Sequence, residues 1–207
     1  MSRIAQLDGR HVLVLAARHT HGFAIAARCL EGGARVTLVG TVLDDLNRAL
    51  LARPELGSAA LDPSDGPAFE ALLRSMRPID DVVVTFGTDG RAEGDDVVWP
   101  ELGGLQKLVR CVDRELPTQA GVLLVHAMGP RARNGSDAPY VAVEAVRRLV
   151  VELEPRPVNL LAHSGRLEPT VPEAGAVPPP TDLVGLATTL LAGTTRGMVV
   201  EVDAVGP

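Results

Sequence analysis

Short continuous runs of apolar residues alternate along the chain with segments whose apolar residues recur at helical spacing. The runs that predict strands are Val12–Leu15, Val36–Val39, the neighbourhood of Leu61, Val82–Thr85, Val122–Val125, Val158–Leu161 and Met198–Val202. The segments that predict helices are Ala24–Glu31, Val42–Leu51, Pro67–Ser75, Leu102–Leu116, Tyr140–Leu153 and Thr181–Ala192. Because strands that are apolar throughout are buried on both faces, this alternation predicts a doubly wound α/β fold, with a mostly parallel sheet of about seven strands and helices on both sides.

The length and composition of the chain fit one domain. It has 207 residues, of which 46% are apolar and 22% are charged, and both fractions are close to the average of globular proteins. We expect a single domain over residues 1–207, with a short proline-rich loop at about 165–181. Ligands of doubly wound sheets bind at the carboxyl ends of the strands, so candidate functional residues are sought there.

Composition and charge argue against several kinds of partner. Aromatic residues make up only 2% of the chain and the net charge is −6, which argues against base stacking and against a nucleic acid partner. No apolar run approaches the roughly 18 residues of a membrane span, and the amino terminus has no signal-peptide core. We therefore expect a cytoplasmic protein that does not bind a membrane and whose ligand is a small molecule. Cys29 and Cys111 are expected in the core.

The turn after the first predicted strand has lost most of the glycines that a dinucleotide-binding loop needs. Such a loop uses one glycine for the tight turn, one where the backbone approaches the pyrophosphate and one where helix packs on strand. The run Leu15-Ala16-Ala17-Arg18-His19-Thr20-His21-Gly22 resembles the T-G-x-x-x-G-x-G loop of the short-chain dehydrogenase/reductase family, and of the three glycines it keeps only Gly22. Ala16 and Thr20 place side chains at the other two positions, which disfavours the loop conformation.

The resemblance covers nearly the whole chain and implies a Rossmann-like domain. The segment 61–65 is similar to the family segment whose first aspartate, here Asp62, contacts adenine. The segment 79–87 is similar to the family's N-N-A-G strand, with Thr85 at the second asparagine and with Gly87 retained.

The resemblance also implies which residues would hold a nucleotide, if one still binds. They are Gly22, Arg18, Asp62 and Gly87. Gly40 and Thr41, after the second predicted strand, supply neither the acid that favours NAD nor an arginine that favours NADP. Arg18 or His19 would then be the group that meets the 2′-phosphate of NADPH.

The catalytic pattern of the family is only partly present. The resemblance implies a tyrosine general acid, a lysine four residues later that lowers the tyrosine pKa, and a serine at an earlier strand end. Tyr140, the only tyrosine, matches the first position, but Glu144 stands at the lysine position. The serine position falls at Ala127 or Met128, and Lys107, the only lysine, lies on an earlier predicted helix. Because a carboxylate raises the pKa of a nearby phenol, we do not expect the usual hydride transfer.

Tyr140, Glu144 and His126 are therefore the candidate catalytic residues. Tyr140 and Glu144 are one helical turn apart, and His126 ends the fifth predicted strand. They indicate acid/base chemistry on a small molecule, such as cyclisation, isomerisation or dehydration, with no resident cofactor and no metal. Two alternatives stay open: a catalytically silent binding or partner subunit, and an atypical NADPH-dependent oxidoreductase. The strongly apolar predicted helix over 140–153 favours a homo-oligomer or a partner protein.

Overall fold

Strands and helices alternate through the parts of the chain that the computed structural model describes, which are residues 7–16, 20–41, 43–62, 65–87, 98–128, 158–164, 181–193 and 199–203. The strands are β1 His11–Ala16, β2 Arg35–Gly40, β3 Gly57–Ala60, β4 Asp81–Gly87, β5 Gly121–Met128, β6 Val158–Ser164 and β7 Val199–Asp203. The helices are α1 Thr20–Glu31, α2 Leu43–Ala52, α3 Gly66–Ser75, α4 Val98–Glu115 and α5 Thr181–Ala192.

All the paired strands run parallel, in the order β3-β2-β1-β4-β5-β6-β7. The central strand β1 pairs with β2 on one side and with β4 on the other, so that Val12 is partnered by both Val36 and Asp81. The predicted α/β Rossmann-like fold with a parallel sheet is confirmed.

Alternate residues of each central strand face different helix layers, as the period of two in a strand requires. Leu13 and Leu15 of β1 pack with α3 and α4, whereas Val12 and Val14 pack with α1, α2 and α5. The core on the α3 and α4 side includes Phe69, Leu73, Leu105, Val109 and Val112, and the core on the other side includes Ile25, Cys29, Leu46, Ala187 and Leu191. The continuous apolar runs are thus strands that are covered on both faces.

The third strand differs from its prediction. Leu61 marked the expected strand, but β3 is formed by Gly57–Ala60 and ends before it. This strand is at an edge of the sheet, pairs only with β2 within the described residues and is mostly exposed, so it needs no apolar run. Leu61 follows it and is one of the partly buried residues packed on the core.

Helix boundaries differ less. Helix α4 begins at Val98 instead of Leu102, because Pro100 is tolerated in a first helical turn where the backbone N–H has no partner. Helix α3 begins after Asp65, whose side chain accepts a hydrogen bond of 3.2 Å from the Ala68 N–H. The predicted helix over 140–153 and the proline-rich segment up to residue 180 lie outside the described residues. Of the helices that are described, none is long and apolar enough to cross a membrane.

Candidate functional site at the carboxyl edge of the sheet

The order in which the chain adds strands to the sheet reverses between β1 and β4, two neighbouring parallel strands inside the sheet. Helix α1, which follows β1, packs on one face of the sheet, and helix α4, which follows β4, packs on the other. Doubly wound sheets bind their ligands in the crevice that such a reversal opens beyond the carboxyl ends of the strands. The candidate site is therefore the edge formed by the last residues of these strands.

A buried hydroxyl group joins the two strands at this edge. Thr85 of β4 is 4% exposed, and its Oγ1 donates a hydrogen bond of 2.9 Å to the main-chain carbonyl of Leu15 in β1. Thr85 also pairs in register with Ala16, the last residue of β1. Because this hydroxyl is engaged with the backbone, Thr85 positions the two strand ends and is not offered to a ligand.

The amino end of α1 follows β1 across this crevice. Gly22 is buried in the first turn of α1, and this turn contains no acidic residue. The N–H groups of a first helical turn lack helical partners and favour an anion. The fold thus places Gly22 where the resemblance expects it, whereas Arg18 lies outside the described residues and its role stays a prediction.

The ends of β2 and β3 meet at the same edge. The Leu61 N–H donates to the Gly40 carbonyl at 3.0 Å. Asp62 follows Leu61 directly and so lies beside the end of β2. Asp62 is exposed, and its main-chain carbonyl accepts from the Asp65 N–H at 3.0 Å. At the end of β2, Gly40 is buried and the exposed Thr41 carries no charge.

These residues fit a dinucleotide poorly. A Rossmann site needs a carboxylate or an arginine after β2, and it needs a tight glycine turn after β1. The chain has Gly40 and Thr41 at the first place and ends β1 in Ala16 at the second. Within the described residues, Gly22, Asp62 and Gly87 lie at positions that agree with such a site.

The register also places Gly87 and His126 on neighbouring strands at this edge. Phe86 pairs with His126, so Gly87, the last residue of β4, pairs with Ala127. Ala127 and Met128 end β5, which puts no hydroxyl group within β5 at the position of the family serine. Tyr140 and Glu144 lie outside the described residues, and their roles stay predictions.

Strands β6 and β7 bring Ser164 and Asp203 to this edge, and the sequence did not single out either residue. Ser164 ends β6 and pairs with Met128 on one side and with Asp203, the last residue of β7, on the other. His163 pairs with Ala127, whereas His126 pairs with Ala162, so the two histidines are offset by one residue along neighbouring strands. The apolar run of β6 ends at Leu161, and only its pairing with both neighbours shows that the strand continues. In the described ranges, no three His, Cys, Asp or Glu side chains form a group that could hold a metal ion.

Comparison with known proteins agrees with this architecture. No protein-family model matches the sequence, and no curated protein matches it either. Many solved structures are similar to this chain over nearly their whole length, and three of them illustrate the match. A hydroxysteroid dehydrogenase from Escherichia coli has a TM-score of 0.76 and 17% identity, with 100% of both chains covered.

The other two have similar statistics. A short-chain dehydrogenase from Mycobacterium smegmatis has a TM-score of 0.71 and 19% identity, with 98% of this chain and 95% of that chain covered. The protein BdcA, in complex with NADPH, has a TM-score of 0.72 and 18% identity, with 95% and 93% covered. The chain thus has the fold of the short-chain dehydrogenases/reductases, as its sequence resemblance predicts.

Proposed function

We propose that this chain is a small-molecule enzyme on the short-chain dehydrogenase/reductase fold that has lost hydride transfer and works by acid/base catalysis. The observation that carries the proposal is the end of β5. Its last residues, Ala127 and Met128, lie at the carboxyl edge of the sheet, at the position where the family mechanism uses a serine hydroxyl. The sequence adds Glu144 at the lysine position. Hydride transfer by the family mechanism would lack two of its groups.

The residues that remain suit proton transfer. A carboxylate near a phenol raises the phenol pKa, so Tyr140 beside Glu144 stays protonated at neutral pH and acts as a general acid. Glu144 then acts as the base that removes a proton beside a substrate carbonyl, while Tyr140 protonates the carbonyl oxygen. His126, at the edge next to Gly87, carries protons between the substrate and solvent. This chemistry supports isomerisation, cyclisation or dehydration of a small carbonyl compound.

Calorimetric titration with NADPH and with NADH tests the proposal. We expect no binding heat up to millimolar nucleotide, because the described ends of β1 and β2 fit a dinucleotide poorly. Submillimolar binding by the wild-type chain would overturn this expectation and favour the alternative of an atypical NADPH-dependent oxidoreductase. That alternative has an observation in its favour, since one of the similar structures is an NADPH complex and the buried Gly22 is retained.

Substitution of the candidate catalytic residues separates an enzyme from a silent subunit. In a screen of small carbonyl compounds by proton exchange in heavy water, Tyr140→Phe and Glu144→Gln should each abolish the exchange that the wild type shows. The matched control is Glu55→Gln, which removes an exposed carboxylate from a turn far from the ligand edge. Exchange that survives both substitutions would contradict the mechanism, and a wild type that exchanges no compound in the screen would favour the silent subunit.

We also propose a small molecule as the partner and self-association through the predicted helix over 140–153. Size measurement in solution tests the second statement. A stable monomer at micromolar concentration would contradict it.

A further inference from the structure

A buried aspartate stands at the end of the sheet opposite the candidate site. Asp81 begins β4, its side chain is 1% exposed, and it pairs with Val12 and Gly121 on the two neighbouring strands. The glycine leaves room for the carboxyl group, because a Cβ at position 121 would lie 2.5 Å from Asp81 Oδ1. The fold thus reserves space for this side chain, and the chemistry proposed above does not use it.

One guanidinium group connects Asp81 to helix α5. Arg10 Nη2 donates to Asp81 Oδ1 and Arg10 Nη1 donates to the Leu191 carbonyl, each at 2.6 Å. Leu191 lies in the last turn of α5, where carbonyl groups lack helical partners and the helix dipole favours a cation. The Arg10 side chain is 31% exposed, so solvent reaches the cation but not the carboxyl group.

The second carboxyl oxygen of Asp81, Oδ2, makes the ionised state of this side chain less favourable than the neutral state. Within the described residues, Asp81 Oδ2 is buried and has no hydrogen-bond partner. A charged oxygen without a donor costs more free energy than a neutral carboxyl group in the same place. Burial therefore raises the pKa of Asp81 to about 7, although Arg10 lowers it and Asp80 adds a smaller increase.

Other titratable groups lie in the same region of the fold as Asp81. The Cys29 thiol of α1 has its pKa raised to about 12, by burial first and by the Asp81 charge second, so it stays neutral. The main-chain N–H of His11 donates to Asp80 Oδ2 at 2.7 Å, and Arg35 Nη2 lies 2.8 Å from His11 Nδ1. Among the described residues, Arg10 is the one cation in contact with Asp81.

We propose that Asp81 and Arg10 form a proton-sensitive latch that sets how firmly the last turn of α5 is held to the sheet. When Asp81 is neutral, Oδ2 carries no charge that needs a donor, and the guanidinium group keeps both of its contacts. When Asp81 is ionised, the buried Oδ2 lacks a donor, and water supplies one when the last turn of α5 opens beside the exposed side of Arg10. The last turn of α5 therefore opens more often when Asp81 is ionised.

Hydrogen exchange measured by mass spectrometry on the full chain tests the latch. After correction for the intrinsic pH dependence of exchange, peptides from residues 181–193 should exchange severalfold faster at pH 8 than at pH 6. Asp81→Asn keeps an oxygen acceptor for Arg10 and removes the titration, so its corrected exchange should be the same at both pH values. Glu55→Gln, an exposed change of the same charge, should behave as the wild type does.

A second variant keeps the proposal testable if Asp81→Asn does not fold. Arg10→Lys keeps the charge, but a single ammonium group cannot span both acceptors. It should loosen the last turn of α5 at both pH values and leave the pH dependence of stability in place. The latch is overturned if α5 in the wild type exchanges alike at pH 6 and pH 8, or if Asp81→Asn keeps the wild-type difference.

Discussion

The hydroxyl group of Thr85 donates a hydrogen bond of 2.9 Å to the carbonyl of Leu15, two residues that the chain separates by 70 positions. This contact joins the two parallel strands between which the strand order of the sheet reverses, at the edge where a ligand of such a sheet binds. It is buried, so water does not replace it when it is lost.

Thr85→Val should therefore destabilise the protein. The substitution removes the donor and keeps the branched shape, and we expect a loss of about 0.5–1.5 kcal/mol in the free energy of unfolding. Urea denaturation followed by circular dichroism measures it. Thr85→Ser is the control, because it keeps the hydroxyl group and loses only a methyl group. Equal stability of Thr85→Val and the wild type would contradict the assigned role of the hydrogen bond.

Gly33→Ala should be strongly destabilising. Gly33 has a φ of 89°, and a Cβ there would overlap the carboxylate of Asp8 and lie 3.2 Å from the Asp8 Cα. The left-handed conformation alone costs an L-residue about 1–2 kcal/mol, and the overlap adds to this cost. A lowered midpoint of thermal unfolding tests the expectation. Gly9→Ala is the comparison, since Gly9 has a φ of 75° but no heavy atom within 4 Å of the added Cβ.

Gly103→Ala should have the opposite sign. Gly103 lies inside α4 and is exposed, and a Cβ added there meets nothing within 4 Å in the described structure. Alanine in a helix interior is more stable than glycine by about 0.5–1 kcal/mol. The same urea denaturation should therefore show a higher midpoint with an unchanged slope. A lower midpoint would contradict this expectation.

Glu115→Gln should flatten the loss of stability in acid. Arg74 donates to both carboxylate oxygens of Glu115, from Nε at 2.8 Å and from Nη2 at 2.7 Å. Hydrogen bonding from Arg74 holds the pKa of Glu115 below its usual value, and the charges of Arg74, Arg77 and Arg114 act in the same direction.

The sign of this effect follows from proton linkage. The unfolded chain binds a proton at Glu115 before the folded chain does, so the stabilisation is present above the ordinary glutamate pKa and disappears as the pH falls through the lowered value. The contribution of Asp81 to the pH dependence of stability has the opposite sign. Its raised pKa makes the folded state less stable as the pH rises from about 4 to about 7. Free energies of unfolding between pH 3 and pH 8 for Glu115→Gln and Asp81→Asn separate the two contributions, and a common slope in both variants would contradict these assignments.

The central part of the fold could be predicted because its strands are buried on both faces. Val12, Val36 and Val83 belong to apolar runs that only a covered strand would carry, and each is fully buried. The edge strand β3 could not be located as well, because an exposed strand of Gly57–Ala60 needs no apolar residues. Asp81 shows the other limit: a carboxylate beside an apolar run looks like a loop residue until Arg10, 71 positions away, is seen to pair with it.

The candidate site was predictable to a similar degree. The positions of Gly87 and His126 follow from where their apolar runs end, and the register confirms that they lie at one edge. Ser164 and Asp203 were missed because β6 and β7 continue into polar residues, and only the ladder that joins them reveals it. The roles of Tyr140 and Glu144 depend on spacing and resemblance alone, and they stay predictions.

The position of β1 inside the sheet, with a neighbour on each side, has a consequence for synthesis of the chain. Domains fold as their residues leave the ribosome, and β1 can pair with β2 early, but its other neighbour, β4, is made only when residues 81–87 appear. Until then one long side of an apolar strand is an open edge, which invites association with other chains. The nascent protein is therefore open to misassembly along β1 until β4 emerges and pairs with it.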